Sequence, residues 1–113
     1  MHLERLTKEE SAVVGEALRA AADGPFFPDW EFHTLLGLDR KDVRQIAYEW
    51  PLPKVPVEAV VLAVNNSMNM LLSYPHRKHD VWSEWISIDQ TAFNELLNRL
   101  RGRRNESTFD RMM

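Results

Sequence analysis

The feature that most constrains the fold of this chain is a helical apolar pattern in residues 57–72. Seven apolar residues recur at the i, i+3, i+4 and i+7 spacing that places side chains on one continuous face of an α-helix. They are Val57, Val60, Val61, Val64, Met68, Leu71 and Leu72. Because such a face must be shielded from water, we expect this helix to be the central element of a small helical domain, with other helices packed around it.

The segments on either side predict further helices. Thr7 and Glu10 have capping-box spacing, which predicts a helix over residues 8–22. Shorter helices are predicted within residues 29–50, and a last helix is predicted from Asp89 or Ser87 to the residues before Gly102. Between them, residues 81–88 fit both a strand and a helix. Since the sequence offers no second strand for pairing, we interpret this segment as a short helical turn that runs into extended chain.

The predicted fold class is therefore all-α, with four main helices and short helical turns around the helix at residues 57–72. A chain of 113 residues fits one domain, which we place at residues 1–102. Residues 103–113 have no hydrophobic periodicity, and we expect them to be frayed or disordered.

Composition excludes several classes of function. The formal net charge is -3, so there is no overall positive field of the kind that draws a protein to nucleic acid or to an anionic membrane. The chain has no cysteine, which excludes disulfides, thiolate nucleophiles and cysteine-ligated metals. The N-terminus lacks the apolar run of a signal peptide, and three asparagines interrupt the longest apolar tract, so we expect a cytoplasmic protein without a membrane span.

Catalytic motifs are also missing from the sequence. The four glycines, at positions 15, 24, 37 and 102, are isolated from one another, so there is no glycine-rich phosphate loop. There is no Gly-x-Ser-x-Gly motif either. We therefore expect a protein that is not an enzyme, and we predict no cofactor.

The leading functional prediction is a cytoplasmic accessory or regulatory protein that acts by binding another protein, including a second copy of itself. Three asparagines interrupt the apolar helix, and a loop rich in polar and aromatic residues follows that helix. The asparagines either bond to the backbone of the loop at residues 74–81 or help to form a polar contact surface. Tryptophan and tyrosine are common where protein partners bind most tightly. The predicted contact residues are Asn65, Asn69, Tyr74, His76, Trp82 and Trp85.

A first alternative is DNA binding through residues 29–50. Leu36, Gly37 and Leu38, followed by Val43 and Ile46, give a pattern that resembles the helix-turn-helix of bacterial regulators. The resemblance implies that the second helix would face the DNA groove. The residues then placed on the groove side are Arg40, Lys41, Arg44, Gln45 and Tyr48.

A second alternative is a metal site in the loop that follows the central helix. His76, His79 and Asp80 offer imidazole and carboxylate ligands of the kind that zinc, nickel and manganese accept. The structural interpretation of the same residues is a solvated loop without a metal, in which one histidine forms a hydrogen bond with a helix end.

Overall fold

A computed structural model describes residues 1–102 of the chain. Within that range the protein is all-α and contains no strand, which confirms the predicted fold class. The part of the chain predicted to be frayed, residues 103–113, lies outside the described residues. The helices are α1 (Lys8–Asp23), α2 (Asp29–Leu36), α3 (Arg40–Glu49), α4 (Val57–Ser73), α5 (Trp82–Trp85) and α6 (Gln90–Leu100), with single 3-10 turns at Leu3–Arg5 and His79–Val81.

Two helices form the centre of the molecule. Helix α4 packs against α1, α2, α3 and α6, as expected for the central element. Helix α1 is as deeply placed, because it packs on α3, α4 and α5 and buries half of its 16 residues. Its core face is built largely from alanine and valine, and small side chains of this kind allow neighbouring helices to approach closely.

Local sequence signals explain where the helices begin and end. The Thr7 hydroxyl accepts from the amide of Glu10, and the Glu10 carboxylate accepts from the amide of Thr7, so the predicted capping box is present. Asp89 caps α6 by accepting from the amide of Ala92 at 2.9 Å. Gly37 ends α2 in the left-handed conformation, with φ of 75°, which a residue with a Cβ adopts only with strain.

The segment at residues 81–88 folds as predicted. The short helix α5 ends at Trp85, and Ile86 then adopts an extended conformation. Trp82 and Ile86 are both buried, and the Trp82 indole N–H donates to the carbonyl of Ile88 at 2.9 Å. This bond fixes the change from helix to extended chain by satisfying a buried donor and a loop carbonyl together.

One prediction about α4 is wrong in part. Its apolar face is buried at Val60, Val64, Met68 and Leu71, but Val57 is 65% exposed. Val61 and Leu72 are only half-buried. The first turn of α4 therefore extends past the helices that cover the rest of α4. The hydrophobic periodicity of α4 cannot show where those neighbouring helices end.

Candidate functional site

The exposed first turns of α4 border an apolar groove of about 440 Å³. One wall comes from the α3–α4 connector and the other from the N-terminal turn, and α4 itself contributes Val57 and Val60. The remaining lining residues are Leu3, Glu4, Leu6, Ser11, Trp50, Pro51, Pro53 and Val55. Apolar side chains thus dominate a concave surface that is open to solvent.

A second groove of about 340 Å³ runs along the outer side of α4. It is lined by Val57, Glu58, Val61, Leu62 and Asn65, so Val57 belongs to both grooves. Leu62, in the middle of α4, is 39% exposed. We call the residues that line these two grooves the Val57 surface.

The wall of the first groove is held in place by Trp50. Its indole N–H donates to the carbonyl of Ser11 at 2.9 Å, which ties the end of α3 to α1. The ring lies against Gly15, where a Cβ would come within 3.0 Å of the ring edge. The connector is further fixed by the Glu49 carboxylate, which accepts from the amide of Lys54. These bonds hold the proline-rich connector in one position beside α4.

The charged residues that line the Val57 surface are both acidic. Glu4 lines the first groove and Glu58 lines the second, and neither groove has a lysine or arginine among its lining residues. The other polar lining residues are Ser11 and Asn65. This combination of aliphatic side chains and carboxylates suits contact with a polypeptide and disfavours phosphate-rich ligands.

The six contact residues predicted from the sequence do not form one exposed surface. Trp82 is 5% exposed and packs edge-on against Phe93 and Phe26, so it is a core residue. Trp85 is half-buried against the core. Tyr74 is also half-buried, and its hydroxyl donates to the Glu31 carboxylate at 2.6 Å. That hydrogen bond is the main reason why the pKa of Tyr74 is raised.

His76 is buried and serves the fold. One ring nitrogen, Nε2, lies 3.0 Å from the carbonyl of Leu71, and the other, Nδ1, accepts from the amide of Lys78 at 2.9 Å. The ring packs edge-on against Phe26. This arrangement requires the neutral ring with its proton on Nε2. Burial lowers the pKa of His76, and the nearby His79 lowers it further, against the opposing effect of the Leu71 carbonyl.

The predicted metal site is not formed in the part of the chain that the structure describes. The rings of His76 and His79 are 5.0 Å apart, but both nitrogens of His76 face backbone groups. His79 pairs through Nδ1 with the side-chain amide of Gln90. No cluster of three potential ligands, Asp80 included, occurs within residues 1–102. The structure agrees better with the structural interpretation, since His76 forms a hydrogen bond with the Leu71 carbonyl near the end of α4.

Two of the three asparagines, Asn65 and Asn66, have side-chain hydrogen bonds, and neither bonds to the loop at residues 74–81. The Asn66 amide donates to the carbonyl of Leu36 at 2.8 Å and so satisfies the end of α2. The Asn65 amide donates to Asn66, and the Asn65 oxygen accepts from Arg101 at 2.7 Å. Asn69 is half-buried nearby. Asn65 is the one predicted contact residue that also lines the Val57 surface.

The residues predicted for DNA binding divide into two groups. Lys41, Gln45 and Tyr48 are exposed on α3, and Gln45 pairs with Glu49 on the same helix. Arg40 instead donates to the carbonyls of Ala22 and Phe27, at 2.9 and 2.8 Å, and its guanidinium lies over the Phe32 ring. Arg44 donates to the Asp23 carboxylate and to Ala22. Both arginines therefore bind the C-terminal end of α1, where carbonyls and the helix dipole attract positive charge.

Comparison with known proteins gives no further guide. No protein-family model, no curated protein and no solved structure matches the chain. Over the described range, the structure has no helix with the length and apolar character that crossing a bilayer requires.

Sequence reasoning missed Val57 and Leu62 as surface residues. The signal that could have found Leu62 is the apolar excess of α4, whose residues 57–64 include only one charged side chain. A helix that is apolar on most sides is either fully enclosed or has a face left for a partner. The position of the connector decides between these cases, and it depends on Trp50 reaching Ser11 across 39 residues.

Proposed function

We propose that this protein is a non-catalytic accessory protein that binds an apolar segment of another protein on the Val57 surface. The observation that carries the proposal is the pair of adjoining apolar grooves that share Val57, a large aliphatic side chain left 65% exposed. Exposing contiguous apolar area costs free energy in water, and a partner that covers it recovers that free energy. The proposed mode of action is still protein binding, as predicted from the sequence. The proposed contact surface is now the start of α4 instead of the loop after α4.

A polypeptide is the ligand that fits this surface best. The lining is apolar with two carboxylates, which repel the phosphates of nucleic acids and of anionic lipids. The strongest cationic candidates for DNA binding, Arg40 and Arg44, are held within the fold. The absence of cysteine is compatible with a reducing compartment, and we place the proposed role in the cytoplasm.

A displayed library of random peptides tests the proposal, because selection from it does not require an identified partner. Peptides of about 16 residues suffice, since a helix of that length spans about 24 Å. Selection on the wild-type protein is followed by affinity measurement on Val57→Asp and Leu62→Asp. We expect each substitution to weaken the selected peptides at least about tenfold, the scale of a central apolar contact. Aspartate suits the first turn of a helix, so Val57→Asp is expected to fold.

The matched control is Tyr48→Asp on α3. Tyr48 is 68% exposed, close to the value for Val57, and lines neither groove. Selected peptides should bind this variant as they bind the wild type. If no selected peptide depends on Val57, the proposal is overturned. Light scattering on the free protein gives a second test, because a dimer that Val57→Asp dissociates would make the occupant a second copy of this chain instead of another protein.

A further inference from the structure

The two carboxylates of the Val57 surface lie one in each groove, with Val57 common to both. Glu4 belongs to the 3-10 turn before α1, and Glu58 is the second residue of α4. Glu4 lines the first groove, beside the α3–α4 connector, and Glu58 lines the second groove, on the outer side of α4. An occupant that covers Val57 and extends into both grooves therefore meets a carboxylate on each side of its apolar contact.

These carboxylates have no cationic partner within residues 1–102. Most other acidic groups near helix ends are engaged: Glu10 pairs with Arg99, Asp23 with Arg44 and Asp29 with Arg40. Neither Glu4 nor Glu58 forms a hydrogen bond or ion pair in the described range. Glu58 is well placed to complement the N-terminal dipole of α4, but that effect does not account for Glu4. Arg101 donates to Asn65 of the second groove, but Arg101 itself lines neither groove.

We propose that the segment bound on the Val57 surface is amphipathic, with apolar side chains flanked by lysine or arginine. This inference rests on the proposed function and names the chemistry of the partner. A cation that approaches Glu4 or Glu58 does so beside aliphatic side chains that exclude water, where a charge pair is stronger than on a fully solvated surface. A bound carboxylate at the same places is repelled by both glutamates.

The test uses the Val57-dependent peptides from the library selection. Each is synthesised with lysine at its charged positions and again with glutamate there, and binding is measured at about 20 mM and about 500 mM salt, which spans strong and weak screening. We expect the lysine form to bind the wild type about tenfold more tightly than the glutamate form at low salt, and this ratio to shrink at high salt.

Charge reversal on the protein gives the decisive comparison. The double variant Glu4→Lys with Glu58→Lys should lose affinity for the lysine peptide and gain affinity for the glutamate peptide. Glu84→Lys is the matched control, because Glu84 is an exposed glutamate of α5 that lines neither groove. Its preference between the two peptides should equal that of the wild type.

The two possible failures are distinguishable. If Val57-dependent peptides bind equally well in the lysine and glutamate forms, the charge inference is overturned while the proposed function stands. If no Val57-dependent peptide is selected, the proposed function fails and the inference fails with it. A glutamate preference of the wild-type protein would also overturn the inference, since it would require cationic groups on this surface.

Discussion

The α2–α3 hairpin and the first half of α4 use their side chains in opposite ways. In the hairpin, two of the three cations that resemble a nucleic-acid interface, Arg40 and Arg44, are bound to backbone carbonyls of α1 and Phe27. In α4, aliphatic residues that resemble a core face are largely exposed at Val57 and partly exposed at Leu62. The comparison teaches that residue type and spacing predict which elements form, while the neighbours of each element decide which side chains are available to a ligand.

The contrast has a physical origin in the way α1 ends. Helix α1 has no basic residue in its last turn, so its terminal carbonyls need donors from elsewhere. Arg40 and Arg44 lie one turn apart on α3 and reach those carbonyls together. At the first turn of α4 no side chain of the described residues caps the helix, and the connector lies beside Val57, which stays 65% exposed.

The largest effect should come from comparing two leucines on α4. Leu71 is fully buried, and Leu71→Ala should lower the free energy of unfolding by about 3 kcal/mol through lost burial and a residual cavity. Leu62→Ala makes the same chemical change on the outer face and should cost less than about 1 kcal/mol. Urea denaturation of both variants measures the difference. Equal losses would mean that Leu62 is a core residue and that the Val57 surface is not free.

Arg40→Ala should have the next largest effect, a loss of about 2 kcal/mol, because it leaves the Phe27 carbonyl without its charged donor and the Ala22 carbonyl with Arg44 alone. Lys41→Ala, at the next position, is exposed and should change stability by less than about 0.5 kcal/mol. Arg40→Lys should recover only part of the loss, since lysine lacks the forked geometry. Urea denaturation again measures all three. A fully stable Arg40→Ala protein would mean that Arg40 is available to bind DNA after all.

Much of the fold could be predicted from the sequence because its signals are local. The capping box at Thr7, the glycine at position 37 and the periodicity of α4 act within one or two turns of helix. The candidate site could not be predicted in the same way. Its groove depends on Trp50 meeting Ser11, and the burial of His76 and Trp82 depends on Phe26, which lies far earlier in the chain.

A smaller effect of opposite sign is expected at Ser67, on the buried side of α4. Its hydroxyl is fully buried and has no hydrogen-bond partner in the described structure. Ser67→Ala removes that unsatisfied group and improves helix propensity, so the free energy of unfolding should rise by about 1 kcal/mol. Ser73→Ala is the control, because the Ser73 hydroxyl donates to the Asn69 carbonyl at 2.7 Å and its removal should bring no gain. A destabilised Ser67→Ala would show that the hydroxyl has a partner.

The smallest change near neutral pH should come from His76, at the C-terminal end of α4. The folded protein holds this ring neutral, with its pKa below the ordinary value of 6.5 because of burial and the nearby His79. The unfolded chain therefore binds more protons, and the free energy of unfolding should fall as the pH drops below about 6.5, until the folded pKa is also passed. His76→Gln cannot titrate, so its unfolding free energy should depend less steeply on pH in this range. His79→Gln, which keeps the buried ring, should retain most of the dependence. If the unfolding free energies of His76→Gln and the wild type have the same slope with pH, the neutral ring of His76 does not hold the end of α4. The buried half of α4 would then be more open to solvent than the comparison with the Val57 surface implies.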